Sequence, residues 1–279
     1  MEARVLVCTD MDRTLLPNGM QPESPQARPR FRKLAGRPEV GIAYVTGRHR
    51  KLVQDAIRHY ALPVPDYVIG DVGTSLYLIR DGDWHISSAW HAEIGQSWQG
   101  LRHDELERLF RDVDGLSLQE EEKQNTYKLS YYTASDIDVQ ALVDAMERHL
   151  CENNIRASLI WSRDEVADTG LLDVLPEHAT KLHAVEYLMR SEGYTLENTI
   201  FAGDSGNDLP VLSSRIHAVL VANATPQVRE QALAAAREMG THDALYIARG
   251  GFMGMNGNYS AGILEGLVHY LPAASNWFD

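Results

Sequence analysis

Arg4-Val5-Leu6-Val7-Cys8-Thr9-Asp10-Met11-Asp12-Arg13-Thr14 decides how the rest of the chain is read. The segment Arg4 to Cys8 is dominated by a short uninterrupted apolar run, which predicts a strand buried on both faces. Strands of that kind belong to parallel α/β sheets, and such sheets hold their ligands just outside the carboxyl ends of the strands. Asp10 and Asp12 fall in that position. At i and i+2 they project the same way from an extended chain, so one can attack phosphorus while the other handles protons. Taken alone, the pair also fits a solvated turn.

Three later segments repeat the arrangement. Thr46-Gly47-Arg48 follows an expected strand over Val40 to Val45, and a hydroxyl beside a glycine at a helix start can hold a phosphate oxygen; an N-cap with a turn fits it too. Lys181 opens an amphipathic helix expected over Lys181 to Gly193. Gly203-Asp204-Ser205-Gly206-Asn207-Asp208 follows an expected strand over Thr199 to Ala202, where small residues permit a sharp turn and two more carboxylates converge.

Between these segments the texture changes. Asp81-Gly82 predicts a hairpin turn between Ser75–Ile79 and Trp84–Ile86. From about Trp84 to Leu171 helical and alternating stretches mix, which predicts an α+β insert. The expected domains are residues 1–83 with 172–279 as an α/β core, a three-layer Rossmann-like parallel sheet, and 84–171 as a separate small domain. Pro17 to Pro29 is expected to be a loop, and the glycine-rich Gly250 to Gly257 a mobile one.

Bulk properties set the bounds. With 279 residues and 44% hydrophobic content the chain can bury a larger and a smaller core. A net charge of −13 argues against a nucleic-acid partner, although a local cation cluster can still capture one phosphate. No apolar run approaches the ~20 residues of a membrane span, and Met1-Glu2-Ala3-Arg4 leads into a strand rather than a signal peptide. No membrane partner and a cytoplasmic location are expected. Cys8 and Cys151 show no metal-type spacing, and Cys8, inside an apolar strand, is expected to be a buried reduced thiol.

In this order, D-x-D-x-T, T-G-R, a helix-initial lysine and G-D-S-G-N-D resemble the motif series of the haloacid dehalogenase superfamily, and the insert resembles its type-two cap. Asp71-Val72-Gly73-Thr74, Tyr127-Lys128-Leu129-Ser130-Tyr131, Asn223-Ala224 and Ser260 to Glu265 are similar to the sucrose-phosphate phosphatases within it. Two departures are Arg13, where the superfamily usually has Gly or Asn, and Leu182, where Gly is frequent.

The resemblance implies a Mg²⁺-dependent phosphatase acting on a small phosphorylated sugar, with sucrose 6-phosphate first and mannosylfructose or glucosylglycerate phosphate as alternatives. It implies Asp10 as nucleophile and Asp12 as acid/base, protonated when the substrate binds, which proximity to anions would favour. Asp10 and Asp204 would ligate the metal through side chains and Asp12 through its carbonyl, with Asp208 behind them. Thr46, Gly47, Arg48, Lys181, Asn207 and Asn223 would hold phosphate or substrate. Asp71, Gly73, Thr74 and Lys128 would meet the sugar. A phosphomutase of the same superfamily and a non-catalytic phosphosugar-binding module are the other readings open.

Overall fold

All residues of β1 (Val5–Thr9) are buried, which requires packed layers on both sides and a neighbour at each edge. The computed structural model, which describes residues 4–164 and 167–278, supplies them. Chain order continues with β2 (Val40–Val45), β3 (Tyr67–Gly70), β4 (Ser75–Arg80) and β5 (Asp83–Ile86), then β6 (Ser117–Leu118), β7 (Leu129–Ala134), β8 (Ala157–Asp164) and β9 (Thr169–Pro176), and finally β10 (Thr199–Gly203), β11 (His217–Leu220) and β12 (Leu245–Ile247). The large sheet has the order β12-β11-β10-β1-β2-β3-β4-β5. It is parallel from β12 through β3, and the β4–β5 hairpin adds two antiparallel edge strands. The expected α/β core with a parallel-dominated sheet is therefore present.

Pleating sends alternate residues of β1 to opposite faces. Val5 and Val7 join a core with Phe31 and Leu34 of helix Ala27–Ala35, Val53 and Ala56 of helix Arg50–His59, and Ile263, Leu264 and Leu267 of helix Ser260–Tyr270. Helix Lys181–Glu192, with Ala184, Val185 and Leu188 buried, packs on β3 and on helix Leu209–Leu212. The chain fills one side of β1 with β2 and β3 and, after its return, the other side with β10 to β12. The switch point lies between β1 and β10, and there the connections diverge and leave a crevice at the strands' carboxyl ends.

Helix Ser260–Tyr270 lies close against β11 because its facing positions are glycines. A Cβ on Gly262 would meet Val221 at 3.0 Å, and one on Gly266 would meet Val219 at 2.1 Å. In the hairpin, Asp81 (φ 53°) and Gly82 (φ 87°) are both left-handed, as a two-residue turn of this type requires.

The insert, Ser87–Thr180, is a separate compact unit. Its antiparallel sheet has the order β6-β7-β9-β8. Leu129 and Tyr131 pair with Val174 and Leu172 on the buried face, and helix Val139–Glu152 buries Leu142, Met146 and Leu150.

Three expectations are corrected. Leu171 to Pro176 does not return to the large sheet: β9 pairs along its whole length with β8 and completes the small sheet, so the compact units meet at 86/87 and 180/181 rather than 83/84 and 171/172. The Pro17–Pro29 loop ends in a helix, Ala27–Ala35, which Pro29 enters in the first turn, where a backbone N–H has no helical partner to lose. The glycine-rich loop is stitched down: the buried Glu265 carboxylate accepts the N–H groups of Arg249 (2.8 Å) and Gly250 (2.9 Å), and Gly251 N–H donates to Met255 O at 2.7 Å. No helix among the described residues is long and apolar enough to cross a membrane.

Gly266 offers a direct test of this packing. In an open helix Gly→Ala gains about 1 kcal/mol, but here the added methyl collides with Val219. Gly266→Ala is expected to lower unfolding free energy in urea by about 1–3 kcal/mol, the usual cost of overpacking. A variant as stable as the parent would contradict the close approach.

Candidate active site

Asp10 leaves the end of β1 with its N–H donated to Ala202 O of β10 at 2.8 Å, which fixes it at the switch point. Asp204 and Asp208 follow β10, and Lys181 opens the helix after the insert. All four side chains are buried: Asp10 is 5%, Lys181 3%, Asp204 2% and Asp208 0% exposed. The Lys181 ammonium donates to Asp10 Oδ1 at 2.9 Å, Asp208 Oδ1 at 2.8 Å and Asn207 Oδ1 at 3.1 Å. All its donors are thereby used.

Asp208 is more than an outer support. Its Oδ2 accepts from Asp204 N–H, Ser205 N–H and the Ser205 hydroxyl, each at 3.1 Å. A buried carboxylate held by that many donors keeps the turn of the Gly203–Asp208 loop in one shape. The turn also needs Gly203, because a Cβ there would lie 2.6 Å from the Asp208 carboxylate. Thr14 donates to Asp204 Oδ1 at 3.1 Å, while Asp204 Oδ2 is buried without a hydrogen-bond donor among the described residues.

Asp10, Asp204 and Asp208 each bring a carboxylate oxygen within 4.8 Å of the others. Two unit charges about 4 Å apart repel by roughly 4 kcal/mol at an effective dielectric near 20, and one ammonium cannot offset three. Burial first, and then the neighbouring Asp208, push Asp10 up to about 7 against the pull of Lys181. Burial and Asp208 likewise push Asp204 up to about 6. Burial opposes the charge of Lys181, but Asp208 and Asp10 outweigh it and hold the ammonium protonated above the usual lysine range. The all-oxygen donor set, its excess negative charge and the orphaned Asp204 oxygen fit a hard divalent cation such as Mg²⁺.

Asp12 lies apart from this trio. Arg48 Nε donates to its Oδ2 at 2.7 Å, Arg48 Nη2 to its Oδ1 at 2.6 Å, and Asn18 Nδ2 to its Oδ1 at 2.7 Å. Burial works against its charge, but the Arg48 fork prevails and lowers Asp12 below the ordinary carboxylate value. Without substrate, the nearest charge to Asp12 is a bidentate guanidinium rather than an anion. The same contact commits Arg48, expected at the phosphate, to Asp12.

Thr46 is buried at the end of β2, and its hydroxyl oxygen accepts Arg48 N–H at 3.2 Å. Asn223, also expected at the substrate, spends both ends of its amide on backbone: Nδ2 donates to Arg13 O at 2.6 Å and Oδ1 accepts Tyr259 N–H at 2.8 Å. It braces the loop that carries Asp12. Asp71 (φ 50°), Val72 (φ 61°) and Gly73 (φ 106°) form a left-handed run, which turns the Asp71 and Val72 N–H groups back onto Arg48 O (3.0 Å) and Thr46 O (3.3 Å). Asp71 and Thr74 are buried, Asp71 Oδ2 accepting from Ser75 and Thr74 donating to Asp71 O. These contacts give the turn a bracing role behind Thr46-Gly47-Arg48.

In the insert, Lys128 Nζ stands 3.6 Å from Asp173 Oδ2, and Ser130 donates to Asp173 Oδ1 at 2.5 Å. Asp173 was not singled out by sequence; its pairing with Ser130 across β7–β9 follows only from the register. Thr14, Asn18 and Ser205 were also missed as site residues, although all three sit inside or beside the recognised motifs.

A family model described as sucrose-6F-phosphate phosphohydrolase matches residues 3–271. A protein of Nitrosococcus oceani, provisionally named a HAD-like hydrolase, is 52% identical over all of this chain and 75% of its own length. A sucrose-phosphatase of Nicotiana tabacum is 28% identical over 85% of this chain, which spans about half (54%) of that enzyme. Mannosylfructose-phosphate phosphatase of Agrobacterium fabrum is 30% identical over 60% of this chain and 63% of its own. Among solved structures, the sucrose-phosphatase of Synechocystis in complex with sucrose and phosphate superposes with a TM-score of 0.70 at 23% identity, covering 96% of this chain and 98% of that one. A haloacid dehalogenase-like hydrolase of Bacillus subtilis does so with 0.66 at 20%, covering 96% and 92%.

The raised carboxyls give the site a pH signature. Because Asp10 and Asp204 bind protons more tightly folded than unfolded, their contribution to stability in chelator is full below about pH 4 and is lost as pH rises through about 6 to 7. A divalent cation at the cluster would have to displace those protons, so any rise in Tm on adding Mg²⁺ is expected to grow between about pH 5 and about pH 8. A Mg²⁺ effect that is flat or shrinks over that range would contradict the cluster's assignment.

Proposed function

The chain belongs to the sucrose-6F-phosphate phosphohydrolase family, and from that membership we propose that it is a Mg²⁺-dependent phosphatase of a phosphorylated sugar, sucrose 6-phosphate first. The observation that carries the reading is Lys181, buried between Asp10 and Asp208 at the switch point of the sheet. A structural ion pair needs one acid per base. Three buried carboxylates around one lysine are suited to a site completed by a dication and a phosphate.

In the proposed reaction a carboxylate oxygen of Asp10 attacks phosphorus in line. The new bond is Asp10 O–P, and the bond that breaks joins phosphorus to the sugar oxygen. Asp12 gives that oxygen a proton, and then takes one from the water that attacks the aspartyl-phosphate and regenerates Asp10. The ionised Asp12 held by Arg48 and Asn18 is prepared for the second step; the first requires that the fork release it and that it gain a proton. Lys181, oriented by Asn207, and the Thr46 hydroxyl stabilise charge on the equatorial phosphoryl oxygens. Asp10 and Asp204 would hold the metal through side chains and Asp12 through its carbonyl, with Asp208 behind them. Bound there, Mg²⁺ supplies charge neutralisation to the phosphoryl group.

Sugar recognition is assigned to the insert. The Lys128 ammonium lies beside Asp173, whose other carboxylate oxygen accepts from Ser130, a set of donors and acceptors suited to sugar hydroxyls. Similarity to the Agrobacterium mannosylfructose-phosphate phosphatase makes that disaccharide phosphate the competing substrate. The test is phosphate release from both. A kcat/KM for sucrose 6-phosphate above that for mannosylfructose phosphate supports the first choice, and the reverse order replaces it.

Lys128→Ala is expected to raise KM for sucrose 6-phosphate by about tenfold, the scale of one charged hydrogen bond. Hydrolysis of a small aryl phosphate should stay nearly unchanged. An equal loss on both substrates would remove Lys128 from sugar recognition.

A further inference from the structure

Arg13 occupies a position at which its own backbone is unfavourable. Its φ is 59°, in the left-handed region where Gly and Asn are at ease and a long side chain is uncommon. The conformation is imposed from both sides. Arg13 N–H donates to Asn18 Oδ1 at 2.8 Å, and Arg13 O accepts from Asn223 Nδ2 at 2.6 Å. Asn18 is tied in turn to Asp12 and Asn223 to Tyr259. The backbone therefore cannot relax, and side-chain torsions are the freedom left to Arg13.

The side chain ends at the acid cluster. Arg13 Nε lies 3.5 Å from Asp204 Oδ2, and the two side chains are 43% and 2% exposed. Both atoms are buried and neither has a hydrogen-bond partner among the described residues. At this distance and alignment the pair interacts by charge without making a hydrogen bond. The guanidinium therefore gives partial compensation to a buried carboxylate oxygen that has no hydrogen-bond donor among the described residues. A carboxylate oxygen left without a donor is free to accept a divalent cation.

We propose that Arg13 competes with the metal for Asp204 and thereby weakens Mg²⁺ binding, setting an affinity lower than the carboxylate cluster would have alone. The inference rests on the reading of Asp10, Asp204 and Asp208 as the metal site. Without the dication, the guanidinium relieves part of the repulsion among the carboxylates. With the dication on Asp204, two positive charges share one carboxylate, and Arg13 must swing toward solvent, where nearly half of its side chain already lies. Arg13 is a positioning residue in this account: it acts through Asp204 and touches neither phosphate nor sugar.

The test measures the Mg²⁺ dissociation constant by calorimetry on the intact chain without substrate. Three variants are compared with the parent: Arg13→Asn and Arg13→Gly, whose backbones accept φ 59° and which remove the charge, and Arg13→Lys, which keeps it. Circular dichroism and Tm in chelator confirm folding of each. Arg13→Asn and Arg13→Gly are expected to tighten Mg²⁺ binding at least about threefold, the scale of a partly screened ion pair, and Arg13→Lys to stay within about twofold of the parent. A residue that merely supported the loop would, when replaced, loosen the site and weaken binding. Unchanged or weaker binding in both Arg13→Asn and Arg13→Gly overturns this inference alone. A parent chain that binds no Mg²⁺ overturns both the inference and the metal reading beneath it.

Discussion

Three carboxylates and one ammonium, all buried at the end of β1 and β10, set the terms for the rest of the core. Burial of unbalanced like charge is costly unless each group finds partners. The surrounding structure accordingly consists largely of donors. Lys181 spends all three protons on Asp10, Asp208 and Asn207. The Gly203–Asp208 loop turns its backbone N–H groups onto Asp208. Thr14 covers one oxygen of Asp204 and Arg13 faces the other. A cluster so arranged retains surplus negative charge, which suits it to a divalent cation.

The sheet makes the cluster possible. Its groups come from three places far apart in sequence: the end of β1, the first turn of the helix after the insert, and the end of β10. Parallel pairing of β1 with β10 brings the two strand ends into register, and the reversal of strand order between them opens the crevice. A further layer of braces holds the loops. Asn223 fastens the Arg13 peptide to Tyr259, and the left-handed Asp71–Gly73 turn fastens the carbonyls of Thr46 and Arg48. Strain of this kind, a β-branched valine at φ 61° included, persists where neighbouring contacts over-determine it.

The order of the motifs, rather than any one of them, singled out Asp10, Lys181, Asp204 and Asp208, which the fold brings together, and position at a strand end is a local property. What each polar group touches is not local. The side-chain partners of Arg48 and Asn223, Asp12 and the Arg13 carbonyl, stand 36 and 210 residues away in sequence. The same limit hid Asp173, whose partner Ser130 is set by strand register. It also misplaced β9, since a buried strand carries no mark of the sheet it joins. The helix Ala27–Ala35 was obscured differently, by prolines read as breakers where one of them occupies a tolerated first-turn position.

The central claim is that Asp10 carries the phosphoryl group during turnover. Rapid mixing of the chain with Mg²⁺ and sugar phosphate labelled at phosphorus, followed by acid quench and peptide mapping, tests it most directly. The account predicts label on Asp10 that is released by alkali, as an acyl phosphate is, and neither label nor turnover in Asp10→Asn. Label on another residue, or sustained turnover by Asp10→Asn, would contradict it.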